Sequence, residues 1–406
     1  MNMLDIITKK KNKEVLTHEE LYYAFNGYLN KEIPDYQMTS LLMAIVINGL
    51  TFEETFDLTK IFIDSGETFK FDKKVCDKHS TGGIGDTVTL VAIPILGALN
   101  IPVVKMSGRG LGITGGTIDK LESIPGFNVN LTKEDYYNNL DKIGIVVGAQ
   151  TNDLVPLDKV IYALRDVSGT TESIPLIASS IMSKKIACGA DYILIDVKWG
   201  SGALVKTKTN AEVLSNYLIE IGKRFNRQVK TIISDMNEPL STCIGNALEV
   251  EEAINVLKGE KNKLRETSLE VAGNLASMYL NISYEEAYNR AIEVLDNNKS
   301  YEMFKIWISN QGGDLSKLKI SDKVILIKSN QDGIISHINA LKVGELSVKL
   351  GAGRITKDSK IDYSVGIKLL KQSGDLVKKG DILAKLYVND LNIKLTKDDI
   401  NFYSVK

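Results

Sequence analysis

Ile101-Pro-Val-Val-Lys-Met-Ser-Gly-Arg-Gly-Leu-Gly-Ile-Thr-Gly-Gly-Thr-Ile-Asp119 decides the fold class. It opens on a short β-branched run, turns through a glycine-rich loop and ends where a helix begins, the repeating unit of α/β proteins. Upstream, Lys78-His-Ser-Thr-Gly-Gly-Ile-Gly-Asp-Thr-Val-Thr89 opens a second apolar helix that ends near Leu99. Nine of the 32 glycines fall between Gly82 and Gly116, about three times the chain average. Glycines at such turns let several backbone N–H groups converge, and a helix N-terminus adds partial positive charge, so each loop suits an anion. Two loops leaving neighbouring strands at their carboxyl ends face one crevice, the usual ligand position in an open sheet, and one phosphate between them is the economical reading.

Outward from these loops, Ile143 to Val147, Tyr192 to Val197 and Val229 to Ser234 read as buried strands of a mainly parallel sheet. The first 65 residues carry helix signals instead. Thr17 with Glu20 and Thr51 with Glu54 fit the capping box, and Asp35 to Asn48 is apolar almost all round, which predicts the buried member of a small bundle. Leu157 to Asp166 and Ile174 to Cys188 read as helices, the second with Ser173 as N-cap, and belong either to the sheet or to the bundle. After Leu318 the texture turns β-rich, with Val324 to Lys328, Val365 to Leu370 and Asp381 to Leu386 between glycine turns, predicting a smaller third domain.

Composition sets bounds. The 406 residues carry 50 Lys plus Arg against 51 Asp plus Glu, a net charge of −1, with 44% hydrophobic residues. That balance argues against nucleic-acid or membrane-surface binding, which needs a basic surplus. Cys76, Cys188 and Cys243 are odd in number and lack metal spacing, which fits a reducing cytoplasm. The apolar run Leu90 to Val104 is broken by Pro94, Gly97, Asn100 and Pro102, and reads as a helix followed by a strand rather than a span.

No Walker motif occurs. Gly110, Gly112 and Gly115 match G-x-G-x-x-G, but the acids downstream, Glu134 and Asp135, follow Thr132 at a helix start instead of ending a strand, which disfavours a dinucleotide site. His18 and His337 read as solvated or packed, whereas His79 lies inside the first loop and is assigned a functional role. Ser180 and Lys184, four apart, project from one helix face, and Arg165 ends the preceding helix.

These residues carry a resemblance. Ser107 to Glu122 resembles the signature of the thymidine and pyrimidine-nucleoside phosphorylases, and Lys78 to Asp86 resembles their phosphate loop. The likeness continues through Ala163 to Asp166, Ser179 to Lys185, Asp196 to Gly202, Gly245 to Val250 and Gly351 to Arg354. It implies an α/β multidomain chain: a helical dimerisation and base-binding domain (1–66 and 156–188), a mainly parallel α/β phosphate-binding domain (70–155 and 189–315) and a C-terminal α+β domain (320–406). It also implies a homodimer and an active site in the cleft between the first two domains.

Carried over by position, Lys78, His79, Ser80, Thr89, Lys105, Met106, Ser107 and Thr117 hold or flank phosphate; Arg165, Ser180 and Lys184 hold the base; and His79, Arg165 and Lys184 act in catalysis. The resemblance implies no organic cofactor and a potassium ion at Gly85, Thr87, Leu240, Cys243 and Glu252, partly through backbone carbonyls. The family commonly has His where Ile113 stands, Gly where Ser241 stands and a smaller residue where Trp199 stands, which bears on the pyrimidine preference and on the cation site. The implied reaction is reversible phosphorolysis of pyrimidine nucleosides. Alternatives are a phosphoribosyltransferase of the anthranilate type, a non-catalytic nucleoside binder, and a biotin- or lipoyl-type module around Gly374 to Gly380, which lacks a modifiable lysine tip.

Overall fold

The computed structural model describes residues 1–110, 112–113, 115–354 and 359–406, so Leu111 and Thr114 of the second glycine loop lie outside the described residues. The chain runs α1 (Met3–Lys11), α2 (His18–Leu29), α3 (Asp35–Asn48), α4 (Phe52–Asp64), β1 (Cys76–Ser80), α5 (Val88–Ala98), β2 (Val103–Ser107), α6 (Thr117–Glu122), α7 (Lys133–Ile143), β3 (Ile145–Ala149), α8 (Pro156–Val167) and α9 (Ile174–Ala187). It continues through β4 (Tyr192–Trp199), α10 (Lys208–Arg224), β5 (Gln228–Asp235), β6 (Cys243–Ile244), α11 (Asn246–Leu257), α12 (Lys263–Leu280), α13 (Tyr284–Asp296) and α14 (Lys299–Asn310). The C-terminal region holds β7 (Lys323–Lys328), β8 (Gly333–Ile338), α15 (Ala340–Leu350), β9 (Gly366–Leu369), β10 (Leu376–Val377), β11 (Ile382–Val388) and β12 (Tyr403–Val405). This is a helical amino-terminal region, a parallel-sheet α/β region and an antiparallel C-terminal region, as the sequence implies.

The described residues form two compact units. The first comprises Met1–Asp77, Gln150–Ile193 and Lys208–Thr231, and the second Lys78–Ala149, Leu194–Thr207 and Ile232–Lys406. In the first, both capping boxes form: Thr51 N–H donates to Glu54 Oε2 at 2.7 Å while Glu54 N–H donates to Thr51 Oγ1 at 3.2 Å, and Thr17 and Glu20 do the same. Buried Glu54 also accepts from Lys10 Nζ at 2.7 Å and Leu16 N–H at 2.9 Å, tying α1 to α4. α9 packs on α4, with Ser179 Oγ donating to Thr55 O at 3.1 Å.

Three local expectations change. α3 buries Met38, Leu41, Leu42 and Ile45 but leaves Tyr36 and Ile47 72% and 73% exposed, so it is not enclosed: α1, α2 and α8 cover only one of its apolar faces. Ser173 stands at the N-cap of α9, yet its hydroxyl makes no capping bond, and Pro175 in the first turn removes a donor that such a cap would serve. The expected strand from Ile143 begins at Ile145, because Gly144, with φ +79°, caps α7 first.

The five-stranded sheet has the order β3-β2-β1-β4-β5, with β2 and β3 parallel from Val103 opposite Ile145 to Ser107 opposite Ala149. The strands carrying the two glycine loops, β1 and β2, are therefore neighbours. α5, buried on every side from Val88 to Gly97, packs against α12 and α14. In the C-terminal region β6 pairs with β9, which pairs through β11 to β7, all antiparallel; a second sheet has the order β10-β8-β12. Among the described residues no helix is long and apolar enough to cross a membrane.

Candidate active site

The first glycine loop joins β1 to α5 and is sewn to β4. Thr81 N–H donates to Asp196 O at 3.0 Å, and Lys198 N–H donates to Thr81 Oγ1 at 2.8 Å. Gly83 permits this approach, since a Cβ there would lie 2.5 Å from Met236 Cε and 3.0 Å from Lys198 Cδ; Gly85 turns the chain at φ +69°.

Asp86 is the focus of the loop. Its Oδ2 accepts from Ser80 Oγ at 2.5 Å and lies 4.0 Å from Lys198 Nζ, while its Oδ1 accepts from Val88 N–H at 3.3 Å and lies 3.9 Å from Lys78 Nζ. Lys120 Nζ donates to Asp86 O at 2.5 Å and pairs with Glu249 at 2.6 Å. Lys105 Nζ passes beneath β1 to Lys78 O at 2.6 Å. Four buried lysines thus surround one loop at the start of a helix, a local cationic concentration that the neutral whole-chain balance conceals.

Burial pushes the Lys78 ammonium down, against the opposing pull of Asp86 and Asp196. Burial alone would raise the Asp86 carboxyl, but Lys78, Lys198 and Lys120 outweigh it and hold the group well below the usual carboxylate range. Lys198 sits above its ordinary value: burial opposes the charge, and Asp86 and Asp196 overcome that cost.

Of the sequence-predicted residues, Lys78, His79 and Ser80 end β1, Thr89 is buried in the first turn of α5, Lys105, Met106 and Ser107 end β2, and Thr117 begins α6. Met106 packs into the core, whereas Ser107, Thr117 and His79 are half-buried. Sequence reading omitted Asp86, Lys198, Asp196 and Ser234. Lys198 Nζ donates to Asp196 Oδ2 at 2.6 Å and Ser234 Oγ at 3.2 Å, tying β4 to β5, while β4 meets β1 on its other edge, where the strand order reverses. The available signal was a pair of charges two apart in an otherwise apolar strand, which places both on one face.

The residues expected to hold a cation also lie in the second unit. Glu252 is a buried carboxylate with no lysine or arginine partner among the described residues, and burial raises its pKa although Thr242 Oγ1 and the Thr242 and Cys243 N–H groups donate to it at 2.8–3.0 Å. Cys243 O lies 3.4 Å from where a Gly85 Cβ would stand. An uncompensated carboxylate beside hard carbonyl oxygens fits a monovalent cation of the potassium kind. Against it, Gly85 O already accepts from Thr87 N–H at 3.0 Å and from the Ser241 hydroxyl, and Thr87 Oγ1 donates to Glu249 Oε2 at 2.6 Å.

The first unit holds the other set. α9 is buried along its length except at Ile174 and Lys184. Lys184 Nζ donates to Ser180 Oγ at 2.7 Å and pairs with Asp158 Oδ2 at 2.5 Å, so the i, i+4 pairing read from the sequence forms. Burial pushes the Lys184 ammonium down, and Asp158 opposes that. Buried Arg165 donates from Nε to Thr170 O (3.1 Å), from Nη1 to Leu176 O (3.2 Å) and from Nη2 to Thr171 O (2.8 Å), which leaves two N–H groups for a ligand. Burial pushes its pKa down to about 10. Asp158 was missed from sequence, although it lies seven residues before Arg165 on the same face of α8.

Comparison with known proteins adds a separate line. The family model described as the glycosyl transferase family a/b domain matches residues 72–301, the helical bundle domain of the same family matches 4–66, and the pyrimidine nucleoside phosphorylase C-terminal domain matches 334–401. The chain is 48% identical over 405 residues to the pyrimidine-nucleoside phosphorylase of Bacillus subtilis (strain 168), covering 97% of this chain and 93% of that one. It is 46% identical over 401 residues to that of Geobacillus stearothermophilus, covering 96% and 92%. Among solved structures, the anthranilate phosphoribosyltransferase (TrpD) of Thermus thermophilus aligns with a TM-score of 0.62 at 17% identity, over 76% of this chain and 99% of that one, a likeness of fold alone.

Proposed function

The chain belongs to the pyrimidine-nucleoside phosphorylase family, and from that membership we infer the part each residue plays in the reversible phosphorolysis of pyrimidine nucleosides. It is a pentosyltransferase of the nucleoside-phosphorylase kind rather than of the anthranilate phosphoribosyltransferase kind. Inorganic phosphate attacks the anomeric carbon, the C1′–N1 bond breaks with its electron pair leaving on the pyrimidine, and the products are the free base and the sugar 1-phosphate. We place thymidine, deoxyuridine and uridine among its substrates.

The second unit takes phosphate. Lys78 supplies charge, Ser80, Thr89, Ser107 and Thr117 supply hydroxyls, and the N-terminus of α5 supplies oriented amides. Asp86 holds Ser80 and stands beside Lys78, so an arriving anion competes for the same donors.

The first unit takes the base. As the glycosidic bond stretches, negative charge grows on the pyrimidine oxygens, and Arg165 and Lys184 stabilise it where little water intrudes. Ser180, oriented by Lys184, fixes the ring edge; His79, at the end of β1 in the second unit, is the residue we assign to protonating the departing base near O2. The bound phosphate dianion stabilises the sugar cation, so no covalent enzyme intermediate is needed.

Potassium, held by Glu252 and the carbonyls of Leu240 and Cys243 with the Thr87 hydroxyl, and by Gly85 O once the Ser241 hydroxyl turns off it, would supply countercharge to a buried carboxylate and fix the turn after the phosphate loop. A homodimer formed through the helical bundle accounts for the uncovered face of α3 with Tyr36 and Ile47, and for exposed Tyr22 on α2. Three free cysteines fit a cytoplasmic enzyme.

The observation that carries the active-site reading is the ammonium of Lys184, half-open on an otherwise buried stretch of α9, held on the Ser180 hydroxyl. The test is release of free base from thymidine and uridine in parallel, with and without phosphate and with potassium or choline as the cation. Base release that ignores phosphate would reject phosphorolysis.

A further inference from the structure

The two stems of the second glycine loop meet at a tight neck. A Cβ on Gly116 would lie 2.1 Å from Gly110 N and 2.5 Å from Arg109 C, so the two stems of the loop touch there. Gly110 N–H donates to Asp119 Oδ2 at 2.5 Å, which anchors one stem to the first turn of α6. The lock on this neck comes from the C-terminal region. Arg354 Nη1 donates to Asp119 Oδ1 at 2.7 Å and also reaches Gly110 O at 3.3 Å. One guanidinium thus holds the neck carbonyl together with the carboxylate that takes the neck N–H.

A second tie runs parallel to the first. Arg109 grips Glu122 through both Nη2 (2.6 Å) and Nε (3.2 Å), and the Tyr363 hydroxyl donates to Glu122 at 3.3 Å. Ile113 lies against α15, since a Cβ on Gly344 would stand 3.1 Å from Ile113 O. Ser107 ends β2 at one stem and Thr117 opens α6 at the other, so the closed neck sets the separation of the two hydroxyls assigned to phosphate.

We propose that Arg354 is a positioning residue for phosphate: by clamping Asp119 and Gly110 it holds Ser107 and Thr117 at the spacing that binds the anion. This rests on the phosphate site inferred above. Lysine is a poor substitute: both bonds come from Nη1, and a lysine Nζ stands one bond short of that position along the side chain.

The test compares steady-state kinetics of Arg354→Lys, Arg354→Gln, Asp119→Asn and Lys78→Ala with the parent enzyme, varying phosphate at saturating thymidine and thymidine at saturating phosphate. Expected for both Arg354 variants and for Asp119→Asn is a rise in phosphate KM of roughly 10-fold, with thymidine KM within about 2-fold, since a charge-assisted bond is at stake. The Arg354→Gln/Asp119→Asn double variant should be no worse than the weaker single, as residues acting as a unit are not additive. Phosphate KM unchanged in Arg354→Lys and Arg354→Gln while Lys78→Ala raises it would overturn the role of Arg354 alone. Equal changes in both KM values with a lowered melting temperature would reduce Arg354 to a general fold support and also overturn it. An unchanged phosphate KM in Lys78→Ala would remove the phosphate site, and this proposal with it.

Discussion

Asp158 Oδ2 on α8 stands 2.5 Å from Lys184 Nζ on α9, the carboxylate buried and the ammonium half-open. Burial favours the neutral amine and the carboxylate favours the ammonium, so Asp158 keeps Lys184 charged for its proposed work on the leaving base.

Replacing Asp158 with Asn should therefore lower the Lys184 pKa further below the ordinary lysine value. Activity that needs the ammonium is present below that pKa and lost as pH rises through it, so the alkaline limb of kcat/KM should move to lower pH by on the order of a unit. Profiles of the two enzymes between neutral and alkaline pH check this. An alkaline limb that stays in place would detach Asp158 from the site.

Arg165 ties down its own loop and, in the proposed reaction, also stabilises the leaving base, so its truncation should show both effects. Its three bonds hold the carbonyls of Thr170, Thr171 and Leu176, so Arg165→Ala should lower stability by about 2–4 kcal/mol as these lose a charged donor. Turnover measured well below the variant's melting temperature should still fall on the order of 100-fold or more, the cost of losing an electrostatic stabiliser. Denaturant unfolding and thymidine phosphorolysis on the same preparation separate the two effects. Near-normal turnover in the folded variant would strike Arg165 from the base site.

The glycine loops, the capping boxes and the Ser180–Lys184 pair were legible because each depends on a few residues close in sequence. A helix places i and i+4 together whatever surrounds it, and a loop between strand and helix announces itself by composition. The ties of Asp86 to Lys198 and of Asp119 to Arg354 were not legible, since nothing in local spacing says which buried charge will meet which across the sheet or from the C-terminal region. α3 was misjudged for a related reason: an apolar face reads as buried from sequence, yet it says nothing of whether the same chain provides the cover.

Lys198 makes a test of the buried charges. Its ammonium is fully buried, with Asp196 at 2.6 Å and Asp86 at 4.0 Å. Lys198→Met leaves Asp196 with the Ser234 hydroxyl as its one side-chain hydrogen-bond partner among the described residues and should cost about 3–5 kcal/mol, as expected when one partner of a buried pair is removed. Lys198→Met/Asp196→Leu should recover most of that loss by removing the orphaned charge. Thermal unfolding of the single and double variants checks the order, and a double variant less stable than the single would contradict it.

The proposed cation site offers the last test, because the Ser241 hydroxyl takes a lone pair of Gly85 O that glycine would leave open. Its hydroxyl donates to Gly85 O, which also accepts from Thr87 N–H, so the carbonyl has no lone pair left for a cation unless the side chain rotates away. Ser241→Gly frees that lone pair and leaves Glu252 still in need of countercharge. Binding to the folded state raises stability by RT ln(1 + [L]/Kd), so the melting temperature in potassium relative to choline at equal ionic strength should rise more in Ser241→Gly than in the parent. Glu252→Gln should abolish the potassium-specific rise in either background, since it removes the charge that the ion offsets. Equal potassium shifts in the parent and Ser241→Gly would show that Gly85 O does not ligate the ion.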